Sequence, residues 1–378
     1  MSENSLKSII SIGYAKRALE DDSRELQRMQ LYAAALEELH VIVFTHKNEG
    51  FTEKHLDNLH VYPTNASTKL GMLWSAYKIG KKIKKSKPAV SWVVTSQDPF
   101  ETSLVGRGIV RDGGAVHHVQ MHGDLFNPQT YKGSFLQRFR VLYGRFVVKR
   151  TVAIRVVSNR IKKSLQVMGV TGDISVVPIQ ADLNDFLKAG KERNYARTGQ
   201  TSFLYVGRFS DEKNLPLLIK SFRAVSEKFP GVSLSLLGSG STEAQIKRIT
   251  NELGLEDSVK ILGWSNDVRN IMLQHDVLCL SSNHEGWGMV LLEAAATGMP
   301  VVSTDVGCVG EVVFDQDNGK VVPVGDQKRY AEAMRMYCDA PELIEEHGRK
   351  GADIAAQFAI SEDEFVAQVI EAYPSPQQ

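Results

Sequence analysis

Cysteine is scarce in this chain: Cys279, Cys308 and Cys338 are the only three in 378 residues, an odd number with no CxxC pair. That argues against a disulfide framework and fits a reducing compartment. No apolar run approaches the ~18 residues of a membrane-spanning helix. The opening MSENSLKSIISIGYAKRALEDD has one lysine ahead of a short apolar run before charge resumes, so it does not read as a secretion signal. Repeats of 20–50-residue period and low-complexity tracts are missing, which sets aside solenoids and disordered linkers. The dinucleotide fingerprint GxGxxG is incomplete, because Glu243 stands at the third glycine position of Gly238-Ser239-Gly240. The single DxD, Asp315-Gln316-Asp317, sits in the turn sequence DQDNGK ahead of a strand. His117, His118 and His122 lie along one strand and its end without a matching ligand set. The expectation is no metal and no cofactor.

What is present is ordinary globular composition, 43% hydrophobic and 24% charged, with enough apolar material for two cores. The net charge of +1 hides an asymmetry: residues 1–195 hold 29 Lys+Arg against 18 Asp+Glu, and the remainder 16 against 26. A basic front half and an acidic back half suggest two domains with different partners, the basic one facing an anionic surface or substrate. Short apolar strands such as LKSIISIG, HVIVFTH and VSWVVTS alternate with helix-like segments, the pattern of a parallel sheet covered on both faces. In QDPFETSLVGRGIVR, Asp98 is expected as a helix N-cap, with Pro99 at N1 and Glu101 at the capping-box position. The polar stretch NDFLKAGKERNYARTGQTS places a domain boundary near residue 198, and a second alternating series follows at once. The expected organisation is two doubly wound α/β domains, 1–198 and 199–360, and a C-terminal helix within 361–378 crossing back to the first.

Ligands of open α/β sheets bind beyond the C-terminal strand ends, so the loops after strands carry the argument. In YVGRFSDEKN, Arg208 and Lys213 suit either an oxyanion group or a solvated loop. In LLGSGS, Gly238 and Gly240 suit close approach of a ligand or a tight turn. In SSNHEGWGMVLLEAAATG, Gly286 and Gly288 turn the chain into a helix. The free N–H groups of Gly288, Met289 and Val290 would then form an anion site. Glu285 and Glu293 flank that site, either accepting from sugar hydroxyls or stabilising the helix end by ~0.3–1 kcal/mol each. Anion donors flanked by hydroxyl acceptors suggest a nucleotide sugar.

Residues 203–325 resemble the nucleotide-sugar half of family 4 glycosyltransferases, the retaining group with the GT-B fold. The resemblance rests on VGRFSDEKN, LLGSGS, ILGWSNDV, DVLCLSSNHEGWGMVLLEAAATGMPVVSTDVG and NGKVVPVGD, in order, with the E-x7-E spacing met. VQMHGDLF is similar to the family's strand-end histidine. The resemblance implies that Arg208 and Lys213 hold the donor diphosphate, Glu293 the ribose hydroxyls and Glu285 the sugar hydroxyls. The backbone of Gly286, Trp287, Gly288, Met289 and Val290 would line sugar and phosphate. Gly263 and Trp264 would border the base, and His122 would face the transferred sugar. The first strand departs from the family: Gly13 stands alone ahead of a charged loop, where Lys16, Arg17 or Arg24 would supply phosphate contacts and Asp21, Asp22 or Ser23 would meet an acceptor.

KLGMLWSAYKIGKKIKKSKP places Lys78, Lys81, Lys82 and Lys85 on one helical face, suited to anionic lipid or to plain solvation. Aromatics are not interleaved with the charges, which argues against nucleic acid. The expected protein is a cytoplasmic enzyme, soluble or peripheral on the inner face of the cytoplasmic membrane. It would move a sugar from a nucleoside-diphosphate donor to a glycan or lipid-linked acceptor of the cell envelope, metal-independently and with retention. Alternatives are a nucleotide-sugar epimerase or phosphorylase-like enzyme of the same architecture, or a non-catalytic nucleotide-sugar-binding protein.

Overall fold

The structure is a computed structural model and describes residues 7–126, 135–196 and 199–375. The chain divides into two units, Met1–Pro178 with Ser361–Gln378, and Ile179–Ile360.

In the first unit the chain runs through β1 (Ser8–Gly13), α1 (Arg24–Ala34), β2 (Glu38–Val43), β3 (Lys54–Leu56), β4 (Leu59–Pro63), α2 (Lys69–Ser86) and β5 (Trp92–Ser96). It continues with α3 (Glu101–Val110), β6 (Ala115–Met121), α4 (Phe135–Val148), β7 (Ala153–Val156), α5 (Asn159–Val167) and β8 (Asp173–Val176). The described strands form one sheet in the order β3-β4-β2-β1-β5-β6-β7-β8, parallel except for the β3–β4 hairpin. Every residue of β1 and β5 is buried, as expected of strands covered on both faces. One core joins Ile10, Ile42, Trp92 and Val94 of the sheet to Ala76 and Ile83 of α2 and Ile109 of α3. Gly80 permits the close approach of these helices: a Cβ there would lie 2.2 Å from Ile109 Cδ1.

The second unit begins with α6 (Asn184–Lys191), then β9 (Ser202–Val206), α7 (Leu215–Ser226), β10 (Ser233–Leu237), α8 (Glu243–Glu252), β11 (Val259–Gly263) and α9 (Val268–Leu273). After these come β12 (Val277–Leu280), α10 (Met289–Ala296), β13 (Val301–Thr304), β14 (Gly319–Val322), α11 (Gln327–Asp339) and α12 (Glu342–Ala356). Its sheet is parallel, ordered β11-β10-β9-β12-β13-β14. Strand order reverses between β9 and β12, the position at which such sheets open a crevice. Helix α10 is apolar nearly all round and buries Leu291, Leu292, Ala294, Ala295 and Ala296.

Two expectations need correction. The division falls at Pro178/Ile179, ahead of residue 198, because the polar stretch read as a linker contains α6. That helix packs on α9, α10 and α12, burying Leu183 and Ala189; its amphipathic character is masked in sequence by Lys, Asn and Asp. Asp98 does not cap α3. The N-cap is Phe100, and Asp98 Oδ1 accepts from the Phe100 N–H at 2.7 Å in a turn ahead of the helix. Glu101 makes a forked ion pair with Arg140 of α4, at 2.7–3.1 Å, in place of a capping box. The C-terminal helix, α13 (Glu362–Glu371), belongs to the first unit, where Lys7 Nζ donates to the carbonyl of Ile370 at 3.0 Å.

Candidate active site

The loops following β9 and β12 meet because their strands are neighbours at the order reversal. After β9 a tight turn, Asp211–Lys213, ends on Asn214 in the left-handed region (φ 47°) and launches α7. The turn is pinned to the β12 loop by backbone and side chains. Asn283 N–H donates to the Glu212 carbonyl at 2.7 Å, and Ser281 Oγ donates to the Lys213 carbonyl at 2.8 Å. Asn214 Nδ2 donates to Asn283 Oδ1 at 3.1 Å.

This frame brings Lys213 and Glu285 together. Lys213 Nζ donates to Glu285 Oε1 at 2.5 Å, and Ser282 Oγ donates to the same oxygen at 2.7 Å. Both charged side chains are largely buried, 19% and 11% exposed. The reading of the sequence assigned the two to different parts of a ligand and missed that each holds the other. It also missed Ser281 and Ser282, although two hydroxyls directly after a buried strand are a legible signal. Arg208 is exposed. Against the desolvation of the nearby Glu212 carboxyl, its charge helps hold that group below its ordinary value, after the hydrogen bonds to the carboxylate.

Residues Arg208, Gly238 and Trp264 converge on a cavity of about 350 Å³ at the ends of β9, β10 and β11, also lined by Gly207, Ser239 and Val268. Gly263 turns the chain there with φ 74°, and the Trp264 indole is exposed. The glycines of LLGSGS have a structural cause. A Cβ on Gly238 would lie 1.9 Å from the Gly207 carbonyl oxygen, and one on Gly240 2.2 Å from that of Phe209. The β9 and β10 loops are stitched together there, with Phe209 N–H donating to the Ser239 carbonyl at 2.8 Å.

At the third loop, Gly288 adopts φ 84° as the N-cap of α10, and no side chain caps the helix. The Leu291 N–H donates to the Gly288 carbonyl at 2.9 Å, which leaves the Met289 and Val290 N–H groups of the first turn open to an acceptor. Glu293, on the second turn, is largely buried; desolvation raises its carboxyl above the ordinary 4.5. No cation or hydrogen-bond donor faces that carboxylate among the described residues. The Trp287 side chain, to which the sequence assigned no role, belongs to the core. Its indole is 1% exposed and packs 5.9 Å from the Phe358 ring, so only its backbone remains near the turn. There its carbonyl accepts from Cys308 N–H at 2.7 Å.

In the first unit, Gly13 ends β1, and the Gln97 amide occupies the space a Cβ would need, at 2.1 Å. Lys16 and Arg17 are engaged by acids, Lys16 with Glu49 at 2.5 Å and Arg17 with Glu25 at 3.4 Å. Arg24, the first residue of α1, is exposed, as is His122 just beyond β6. In the basic α2, Lys81 pairs with Asp112, and Lys78 lies 5.1 Å over the exposed Trp74 ring. Among the described residues, α4 carries an exposed apolar face, where Phe135, Leu136, Phe139 and Leu142 stand 62–87% exposed among Arg138, Arg145, Lys149 and Arg150. No helix among the described residues is long and apolar enough to cross a membrane.

Two parallel-sheet units of this kind define a GT-B fold. HepE of Anabaena, solved in complex with UDP, is 17% identical with a TM-score of 0.71, covering 96% of this chain and 98% of that one. At that identity the likeness shows fold alone. Residues 189–353 match the model of the glycosyl transferases group 1 family, a match that covers less than half of the chain. A lipopolysaccharide core biosynthesis glycosyltransferase, LpsE of Rhizobium meliloti, is 36% identical over 129 residues, 34% of this chain and 37% of the relative. A phosphatidyl-myo-inositol mannosyltransferase of Mycobacterium leprae is 27% identical over 208 residues, 54% of each chain. The chain spans about half or less of the length of the first curated relatives it matches.

Proposed function

We propose that this protein transfers a sugar from a nucleoside-diphosphate-sugar to a glycan or lipid-linked acceptor of the cell envelope, with retention of configuration and no metal at the reacting centre. The observation that carries this reading is the set of groups at the strand-order reversal. Arg208, the Lys213–Glu285 pair, an uncapped helix end and a desolvated Glu293 with no partner among the described residues lie on the loops that follow β9 and β12 and on the helix that the second loop starts. Cleavage of the bond between the anomeric carbon and the diphosphate places growing negative charge on the leaving group. Fixed cations and helix N–H groups meet that charge without reorganising. Lys213 and Arg208 take that role, and Glu285 holds Lys213 in place while its second oxygen accepts from a sugar hydroxyl. Glu293 accepts from the ribose, and the cavity beside Trp264 takes the base. His122 is assigned to the transferred sugar by resemblance alone. HepE was solved with UDP and LpsE is named for lipopolysaccharide core biosynthesis, which supports both the donor class and the acceptor class.

The exposed apolar face of α4, with its arginines, supports a peripheral hold on anionic lipid, each basic residue adding ~1 kcal/mol near the surface. The test of function is donor consumption with UDP-, GDP- and ADP-sugars, with and without an acceptor panel. Transfer to an acceptor is the expected result. Conversion of donor to its epimer without acceptor would indicate an epimerase. Donor binding without consumption would indicate a binding protein.

A further inference from the structure

Three neighbouring strands of the first unit carry a histidine on one face, far along the sheet from the strand ends that bear ligands in such folds. His40 of β2 pairs across the ladder with His60 of β4, and His60 with His55 of β3. Glu38 lies two residues before His40, so period-2 alternation puts both on the same face. Glu38 opens β2 and His60 is the second residue of β4, so the cluster sits at the N-terminal end of the parallel strands.

The distances are those of a coordination shell. His40 Nε2 lies 3.2 Å and His60 Nε2 3.4 Å from the same oxygen, Glu38 Oε1. All three atoms fall within 4.8 Å of one another. Ligands of a tetrahedral zinc ion, bonded at about 2.0–2.1 Å, stand about 3.3 Å apart. His40 Nε2 is buried with no well-aligned hydrogen-bond partner, and the Glu38 carboxylate acts on the ring across this short contact, so the same two atoms suit either a bent hydrogen bond in the metal-free protein or two ligands of one ion.

The outer partners fit the same tautomers. His40 Nδ1 is 3.2 Å from the Tyr62 hydroxyl; with Nδ1–H donating, Nε2 carries the lone pair. His60 Nδ1 is 3.0 Å from His55 Nδ1. With His60 donating, its Nε2 is likewise a lone pair, and His55 keeps Nε2–H, which faces Glu53 Oε2 at 3.5 Å. Metal-bound imidazoles are held by such partners on the opposite nitrogen. Lys87, at the C-cap of α2, competes: its Nζ donates to Glu38 Oε1 at 3.0 Å and to Oε2 at 2.8 Å. It is 53% exposed and can keep Oε2 while Oε1 turns to a metal.

We propose that Glu38, His40 and His60 form a binding site for one zinc-class divalent ion, with water in the fourth position, tying the β3–β4 hairpin and the end of α2 to the sheet. Imidazole and carboxylate ligands suit zinc and cobalt over calcium or magnesium. Remote from the diphosphate crevice in sequence and in unit, the site is structural.

The test uses the full chain, stripped by chelator and dialysed, titrated with Zn²⁺ by calorimetry and with Co²⁺ by visible absorption. The expected result is one ion per chain with a Kd on the order of micromolar or tighter, a tetrahedral Co²⁺ band and a raised melting temperature. The partly exposed His60→Gln should weaken binding at least about tenfold, and Lys87→Met should tighten it. Trp92, whose ring centroid is 5.4 Å from that of His40, should lose fluorescence as Co²⁺ binds. Failure of the wild type to take up zinc at roughly millimolar concentration overturns the proposal. Binding that His60→Gln and His40→Gln both leave at wild-type strength overturns it as well, since the ion then sits elsewhere. Should either histidine variant lose its cooperative melt, Lys87→Met decides: unchanged affinity counts against the site.

Discussion

Burial lifts the Glu293 carboxyl above the ordinary 4.5, and no cation nearby offsets that burial. A glutamate whose folded value exceeds its unfolded one favours the native state below the unfolded value. That contribution is lost as pH rises through the folded value. At neutral pH the ligand-free protein therefore carries a destabilising charge that a ribose would satisfy. Glu293→Gln should raise the melting temperature of the ligand-free protein by about 2–4 °C while cutting donor turnover by at least about a hundredfold. A lower melting temperature with turnover intact would contradict the role. In the wild type, donor KM should rise on acidification, beginning above pH 4.5, as the carboxylate protonates. The E-x7-E spacing made Glu285 and Glu293 legible in the sequence, because both flank a turn visible from its glycines. The Lys213–Glu285 bond was not legible. Its partners are 72 residues apart, and only the order of β9 and β12 in the sheet makes them neighbours.

Among the elements, the β9 and β10 loops depend on each other's backbone. Gly240→Ala would drive a Cβ to within 2.2 Å of the Phe209 carbonyl, where the neighbour is main chain and cannot swing aside. The expected loss is about 1–3 kcal/mol of stability, with a weaker grip on donor because Arg208 rides on the displaced loop; denaturant melts and donor KM measure the two effects. Trp287→Ala should cost more, about 3–5 kcal/mol, since its indole is core. Alternating apolar strands and helices were readable along most of the chain, because buried parallel strands leave near-continuous apolar runs. Shorter elements were not. Helix α6 hid under charged residues, and the β3–β4 hairpin has only three residues in one of its strands. The Asp98 cap was misread because Arg140, 39 residues on from Glu101, captured the capping-box glutamate. Sequence spacing cannot show that competition.

For the whole molecule, the two units separate two kinds of chemistry. The second collects cations, open N–H groups and carboxylates on the loops after β9 and β12. The first carries the charge excess, the exposed apolar face of α4 and the Glu38–His40–His60 cluster. Chelation should therefore lower the melting temperature while leaving donor turnover within about twofold at a temperature where the fold persists, a difference near 0.4 kcal/mol. A divalent-metal requirement for turnover itself would contradict the proposed chemistry. Replacing Phe135, Leu136, Phe139 and Leu142 of α4 with serine should reduce sedimentation with anionic vesicles and leave nucleotide binding unchanged. The basic residues of that segment, QRFRVLYGRFVVKR, are visible in the sequence; the apolar face beside them emerges only in the folded helix.

The central claim is that Lys213 and Glu293 act on one nucleoside-diphosphate-sugar. Its most direct measurement is donor turnover by wild type, Lys213→Ala and Glu293→Ala, each first shown to melt cooperatively. Loss of turnover by about a hundredfold or more in both variants is the predicted result. Wild-type rates in both would contradict the account.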